Sequence, residues 1–110
     1  MFVTNAKIVN TMLGIEDHGI MSLSLTMTMG ATGQGFGGYA LDGKGGEIGH
    51  AKSILAIRKI LETVGVEKWE DLKGQLCRIK KDNEWTGPIK AIGHIIDDKW
   101  FSLEEHFKSV

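Results

Sequence analysis

Met21-Ser22-Leu23-Ser24-Leu25-Thr26-Met27-Thr28-Met29 is the stretch that decides the fold. Its apolar residues, Met21, Leu23, Leu25, Met27 and Met29, alternate with Ser22, Ser24, Thr26 and Thr28 at a period of two, which is the pattern of a strand with one dry face and one wet face. Such a strand needs neighbours. Upstream, 7–15 supplies a second apolar run, and Glu16-Asp17-His18-Gly19 between the two is turn chemistry, with Gly19 free to take a positive φ. Downstream, Gly30, Gly33, Gly35, Gly37, Gly38, Gly43, Gly45 and Gly46 crowd one segment, where Phe36, Tyr39 and Leu41 anchor a third strand between loops.

The period then changes. Over 47–64, Ile48, Ala51, Ile54, Leu55, Ile57, Ile60, Leu61 and Val64 trace a broad apolar arc with Lys52, Lys59 and Thr63 opposite, which predicts the main helix, stopped by Gly65. A helical turn is expected over 67–72, closed by Gly74, with Trp69 beside Leu72 as a core plug. Strands over 75–80 and 89–96 follow, joined across 82–87, with Pro88 at the start of the last one, where a missing N–H is tolerated. Ser102 with Glu105 three residues on is a capping box and predicts a last helical turn over 103–108. The order βββαββ gives an α+β fold: an antiparallel sheet of about five strands on one long helix, with short helical additions, in a single domain over 1–110.

Composition bounds the function classes. The chain has 110 residues, 13 Lys+Arg against 14 Asp+Glu, a formal net charge of -1 and 42% hydrophobic residues, the profile of a soluble globular domain. That balance excludes a broad basic field for nucleic acid and a dense carboxylate mimic of DNA. Cys77 is the single cysteine, so there is no intramolecular disulfide and a reducing compartment is expected. The chain lacks an apolar run of the roughly 18 residues that a membrane span needs, and its start lacks the basic and apolar regions of a signal peptide, which makes it cytoplasmic on this reading.

Few residues suggest chemistry. Gly43-Lys44-Gly45-Gly46 precedes a helix but lacks the spacing of a phosphate loop. His50 projects onto the arc of Ile54, Ile57 and Leu61 in the first helical turn, where burial and the helix dipole would keep it neutral, as a metal requires. If the first three strands run up, down and up, Asp17 and His18 lie at the same end as Asp42 and His50, a chemically reasonable zinc set. Cys77 with His94 is a competing pair if Ile79 pairs with Ile92. Ser53, Ser102 and Cys77 carry no catalytic signature, and the neighbouring carboxylates Glu16-Asp17 and Asp97-Asp98 read as solvated punctuation, so the reading is of a protein that is not an enzyme. Arg78, Lys80, Lys81 and Lys90 form the basic cluster, with Trp85 in the adjoining turn, a combination that holds single strands by phosphate contact and stacking. Trp85, Trp100 and Phe101 are alternative anchors for a protein interface.

The segments Leu13-Gly14-Ile15-Glu16-Asp17-His18-Gly19-Ile20, Gly33-Gln34-Gly35-Phe36-Gly37-Gly38-Tyr39-Ala40-Leu41-Asp42, Trp69-Glu70-Asp71-Leu72 and Ala91-Ile92-Gly93-His94 through Trp100-Phe101 resemble a family of small proteins encoded by bacteriophages and prophages. The resemblance covers nearly the whole chain. It implies a phage accessory role in the host cytoplasm, a class that includes anti-CRISPR inhibitors of type II RNA-guided nucleases. The expectation that follows is stoichiometric binding of a host CRISPR nuclease so as to block loading of target DNA, through Glu16, Trp85, Asp97, Asp98, Trp100 and Phe101. Two alternatives stay open: a phage accessory that binds single-stranded nucleic acid, and a small zinc-stabilised adaptor. Pairing of a strand edge with a second copy, giving a homodimer, is open on any of them.

Overall fold

The computed structural model describes residues 1–16, 19–41 and 46–108. Six strands form one antiparallel sheet: β1 (Phe2–Ile15), β2 (Met21–Met29), β3 (Thr32–Ala40), β4 (Leu76–Lys81), β5 (Ala91–Gly93) and β6 (Trp100–Phe101), in the spatial order β3-β2-β1-β4-β5-β6. Between β3 and β4 the chain forms the helix α1 (Gly46–Val64) and a 3-10 turn at Trp69–Asp71; a short helix, α2 (Leu103–Phe107), ends it.

β1 organises the sheet because it is long enough to pair differently along its two halves. Its later residues pair with β2 from Lys7↔Thr28 to Ile15↔Met21, and its first residues pair with β4 from Phe2↔Lys81 to Lys7↔Leu76. The register slips between Ile8 and Asn10, a bulge that bends the strand where its partner changes. β2 and β3 are joined by Gly30-Ala31; Gly30 has φ +65° and leads a turn of the II′ kind, whose twist suits a two-residue hairpin.

The period-two reading of β2 holds. Leu23, Leu25 and Met27 are fully buried and form one core with Ala6, Ile8, Phe36, Cys77, Ile79, Ile92 and, from the helices, Ala56, Ile60 and Leu103. Leu72 is buried and Trp69 packs against this core, as expected of a plug. Gly65 ends α1 with φ +97°, its N–H and that of Val66 both donating to the Leu61 carbonyl. Ser102 caps α2 by accepting the Glu105 N–H at 3.3 Å.

Two details differ from expectation. About five strands are expected and the described residues form six: the last expected strand, 89–96, contracts to Ala91–Gly93, and Trp100–Phe101 pairs back onto it through Ile92↔Phe101 and Gly93↔Trp100. The cause is local. Nδ1 of His94 accepts the N–H of Ile96 and of Asp97, turning the chain, and Arg78 donates to the carbonyls of His94 and Asp97 at 2.8 Å each. The second difference is the rotation of α1. Its buried side is Ser53, Ala56, Ile60, Thr63 and Val64, while Ile54 is 66% exposed and His50 is exposed. Polar links set that rotation: Ser53 Oγ donates to the Leu41 carbonyl at 2.9 Å, Lys52 Nζ donates to the His106 carbonyl, and His106 Nε2 lies 2.7 Å from the Lys52 carbonyl. Small Ser53 and Ala56 let the helix seat closely, and the apolar arc turns partly outward.

Candidate binding face of the sheet

The helices cover one face of the sheet, so the other face carries whatever the alternate strand positions supply. In β1 these include Val3, Asn5, Lys7, Asn10 and Met12; in β2, Ser22, Ser24, Thr26 and Thr28; in β3, Gly33, Gly35 and Gly37; in β4, Leu76, Arg78 and Lys80. Register with β4 and β5 adds Gly93 and Trp100. Thr26 and Lys7 are exposed, and Arg78, Lys80 and Trp100 half-buried. None of the 14 Asp and Glu residues falls within any of the six strands. A chain that is nearly neutral overall therefore presents a sheet face whose strand-borne charges are all positive, with carboxylates only from the flanking connections, Asp98 bonded to Trp100 and Glu16 to Ser22 among the described residues.

Toward the β6 edge of that face lies an aromatic ring flanked by cations. Trp100 lies against Gly93 so closely that a Cβ there would come within 2.5 Å of the ring. Lys80 Nζ stands 4.0 Å and Arg78 Cζ 4.8 Å from the ring centroid, both in the range of a cation–π contact. The Trp100 indole N–H donates to Asp98 Oδ1 at 3.0 Å, which fixes the ring edge-on to the β5–β6 connection. Arg78 is held by the two loop carbonyls, leaving Lys80 and Lys7 as the cations free to reach a ligand.

The expected basic cluster is split by strand geometry. Lys80 and Lys81 are neighbours in sequence, and neighbours in a strand point to opposite faces. Lys80 is on the open face; Lys81 points inward, is 5% exposed and donates to Gln34 Oε1 at 2.9 Å. Lys90 sits apart, its Nζ 4.0 Å from carboxylates of both Asp82 and Glu104. Trp85 stands 83% exposed in the segment after β4, where Asn83 Oδ1 accepts the N–H of Trp85 and of Thr86.

The remaining candidates are dispersed. Of the zinc set, Asp17, His18 and Asp42 lie outside the described residues, and His50 is exposed rather than turned into the core. The sheet does run up, down and up as expected, with the Leu41 N–H donating to the Met21 carbonyl at the end where β1 turns into β2. Ile79 does pair with Ile92, yet Cys77 and His94 are committed elsewhere: Cys77 Sγ lies 3.7 Å from Met27 Sδ inside the core, where burial pushes its thiol up to about 11, and the Nδ1 lone pair of His94 is taken by two N–H groups. Among the described residues no three His, Cys, Asp or Glu side chains gather as a metal site would need. Of the partner-binding candidates, Glu16, Asp97 and Asp98 are exposed, whereas Phe101 is buried and belongs to the core. No described helix is long and apolar enough to cross a membrane.

Compared with known protein families, with curated proteins and with solved structures, the chain finds no match. The signal for the open face was nevertheless in the sequence: the strand segments lack carboxylates, and reading 76–81 at period two separates Lys80 from Lys81.

Proposed function

We propose that this protein is a non-catalytic binding module that holds single-stranded nucleic acid across the open face of its sheet. The observation that carries the reading is the cation-flanked Trp100 on a face whose strands contain Lys7, Arg78 and Lys80 and no carboxylate. Cations track the phosphates, the hydroxyl and amide groups of Thr26, Asn5 and Asn10 offer hydrogen bonds, and the indole provides a surface for a base once Lys80 swings to a phosphate.

Titration of a fluorescent single-stranded oligonucleotide tests this. Two phosphate contacts, from Lys7 and Lys80, predict a slope of log affinity against log salt of about −1.4, hence a roughly 7-fold loss from 50 to 200 mM salt. Lys7→Glu with Lys80→Glu should abolish binding in a protein that stays folded. A salt-independent affinity, or full affinity in that variant, would sink the proposal.

A second reading follows from the resemblance to phage proteins: stoichiometric inhibition of a type II CRISPR nuclease by a block on DNA loading. It is favoured by Trp85 and Ile96, exposed at 83% and 80%, with Asp97 beside the latter, since exposed apolar side chains rimmed by charge suit a protein partner. Inhibition of target cleavage at one equivalent, only when the protein is added before DNA, is the expected result; no inhibition of several such nucleases removes this reading and leaves the first untouched.

A further inference from the structure

Among the described residues Lys81 is the one lysine that the fold takes out of water, and the arrangement around it is independent of the open face. It occupies the inward position at the end of β4, opposite Phe2. There it is 5% exposed, and its ammonium, with three N–H donors, gives one to the neutral amide oxygen of Gln34. Among the described residues no carboxylate lies within 4.0 Å of it. Burying an ammonium is costly unless an opposite charge or a full set of acceptors meets it.

The space for such a partner is present. Pairing of β1 with β2 begins only at Lys7, so the first residues of β1 run on beyond the β2–β3 turn and leave a gap beside them. A cleft of about 500 Å³ fills that gap, lined by Phe2, Thr4, Met29, Gln34, Lys81 and Trp85 among others. That volume is in the range of small-molecule sites, and the lining mixes apolar Phe2, Met29 and Trp85 with a larger set of polar groups around Gln34 and Lys81. Gln34 is locked in its orientation, its oxygen toward Lys81 and its Nε2 donating to the Gly87 carbonyl at 2.8 Å. The same two bonds tie β3 to β4 and to the segment carrying Trp85, and so hold the cleft open as a built feature. The carboxylate in the lining, Glu84, is exposed at the rim.

We infer that this cleft binds a small organic anion, its carboxylate or phosphate on Lys81 and a planar ring between the apolar wall and Trp85. A charge-assisted bond to a nearly dry ammonium is the strong contact, and the exposed indole supplies the stacking surface.

The test titrates the full chain with three probes, inorganic phosphate, benzoate and adenosine monophosphate, followed by calorimetry. Saturable binding of at least one ring-bearing probe at one equivalent is expected, and benzoate against adenosine monophosphate tells carboxylate from phosphate. Lys81→Met should weaken that probe about tenfold or more. Trp85→Ala, at an exposed position, should weaken the ring-bearing probe and leave inorganic phosphate unchanged. If Lys81→Met does not fold, Gln34→Glu replaces it: a carboxylate supplied to Lys81 from within the fold should exclude the probes. Lys7→Glu with Lys80→Glu should leave probe binding intact, which separates this site from the sheet face. Absence of saturable binding for all three probes, or undiminished binding in a folded Lys81→Met or in Gln34→Glu, would overturn the inference.

Discussion

A Cβ added at Gly93 would lie 2.5 Å from Trp100 Cε3 and 2.6 Å from Cζ3, with strand backbone beneath it, so the indole is the group that must move. Gly93→Ala is expected to lift the indole off the sheet and to cost about 1–3 kcal/mol, as overpacking does. Urea denaturation measures the cost, and a change in Trp fluorescence together with loss of oligonucleotide binding would tie it to the ring. At Cys77 the relevant property is ionisation. The thiol is buried beside Met27, and desolvation raises it from 9.0 to about 11. Below pH 9 folded and unfolded chains both hold the proton. Between pH 9 and about 11 the unfolded thiol ionises and the folded one does not, so stability falls by about 2–3 kcal/mol across that window. Cys77→Ala should lose this part of the fall, read as the difference in unfolding free energy between the two proteins at each pH. Equal slopes would mean that the thiol is solvated in the native state.

At the scale of elements, legibility tracked how local the determining forces are. β2 was readable because strict alternation fixes both its type and its buried face. Gly65 and Ser102 were readable because helix ends are set by the groups that satisfy the last carbonyls and the first N–H groups. The face of α1 was not. Its apolar arc includes Ile54 and Leu55, and a rotation that buries the arc's centre competes with one that seats Ser53 and Ala56 against the sheet. The Ser53 bond to Leu41 and the reciprocal contacts of Lys52 and His106 favour the latter, and those partners are 12 and 54 residues away in sequence. β6 was missed for the same reason: two residues carry no period, and their strand state comes from pairing with Ile92 and Gly93.

Over the whole molecule, charge is sorted rather than accumulated. A formal net charge of -1 conceals six strands without a carboxylate, while the acidic side chains among the described residues lie in helices, turns and connections. Nucleic-acid binding should therefore depend on where a charge sits and not on the net value. Lys59→Glu, an exposed position on α1, changes net charge by the same amount as Lys80→Glu, and in the oligonucleotide titration it should leave affinity nearly unchanged while Lys80→Glu weakens it. Equal losses from the two would mean that the bulk field, not the sheet face, attracts the strand.

The sequence by itself determined the α+β class, the β2 pattern, the helix with its Gly65 stop and the α2 cap, because each rests on periodicity or on groups a few residues apart. The tertiary structure decided the sixth strand, the rotation that leaves His50 outside, the burial of Phe101, and the parting of Lys80 from Lys81 into two different environments. Those outcomes depend on which distant backbone pairs with which, and on competition between burial and hydrogen bonding that no single segment contains.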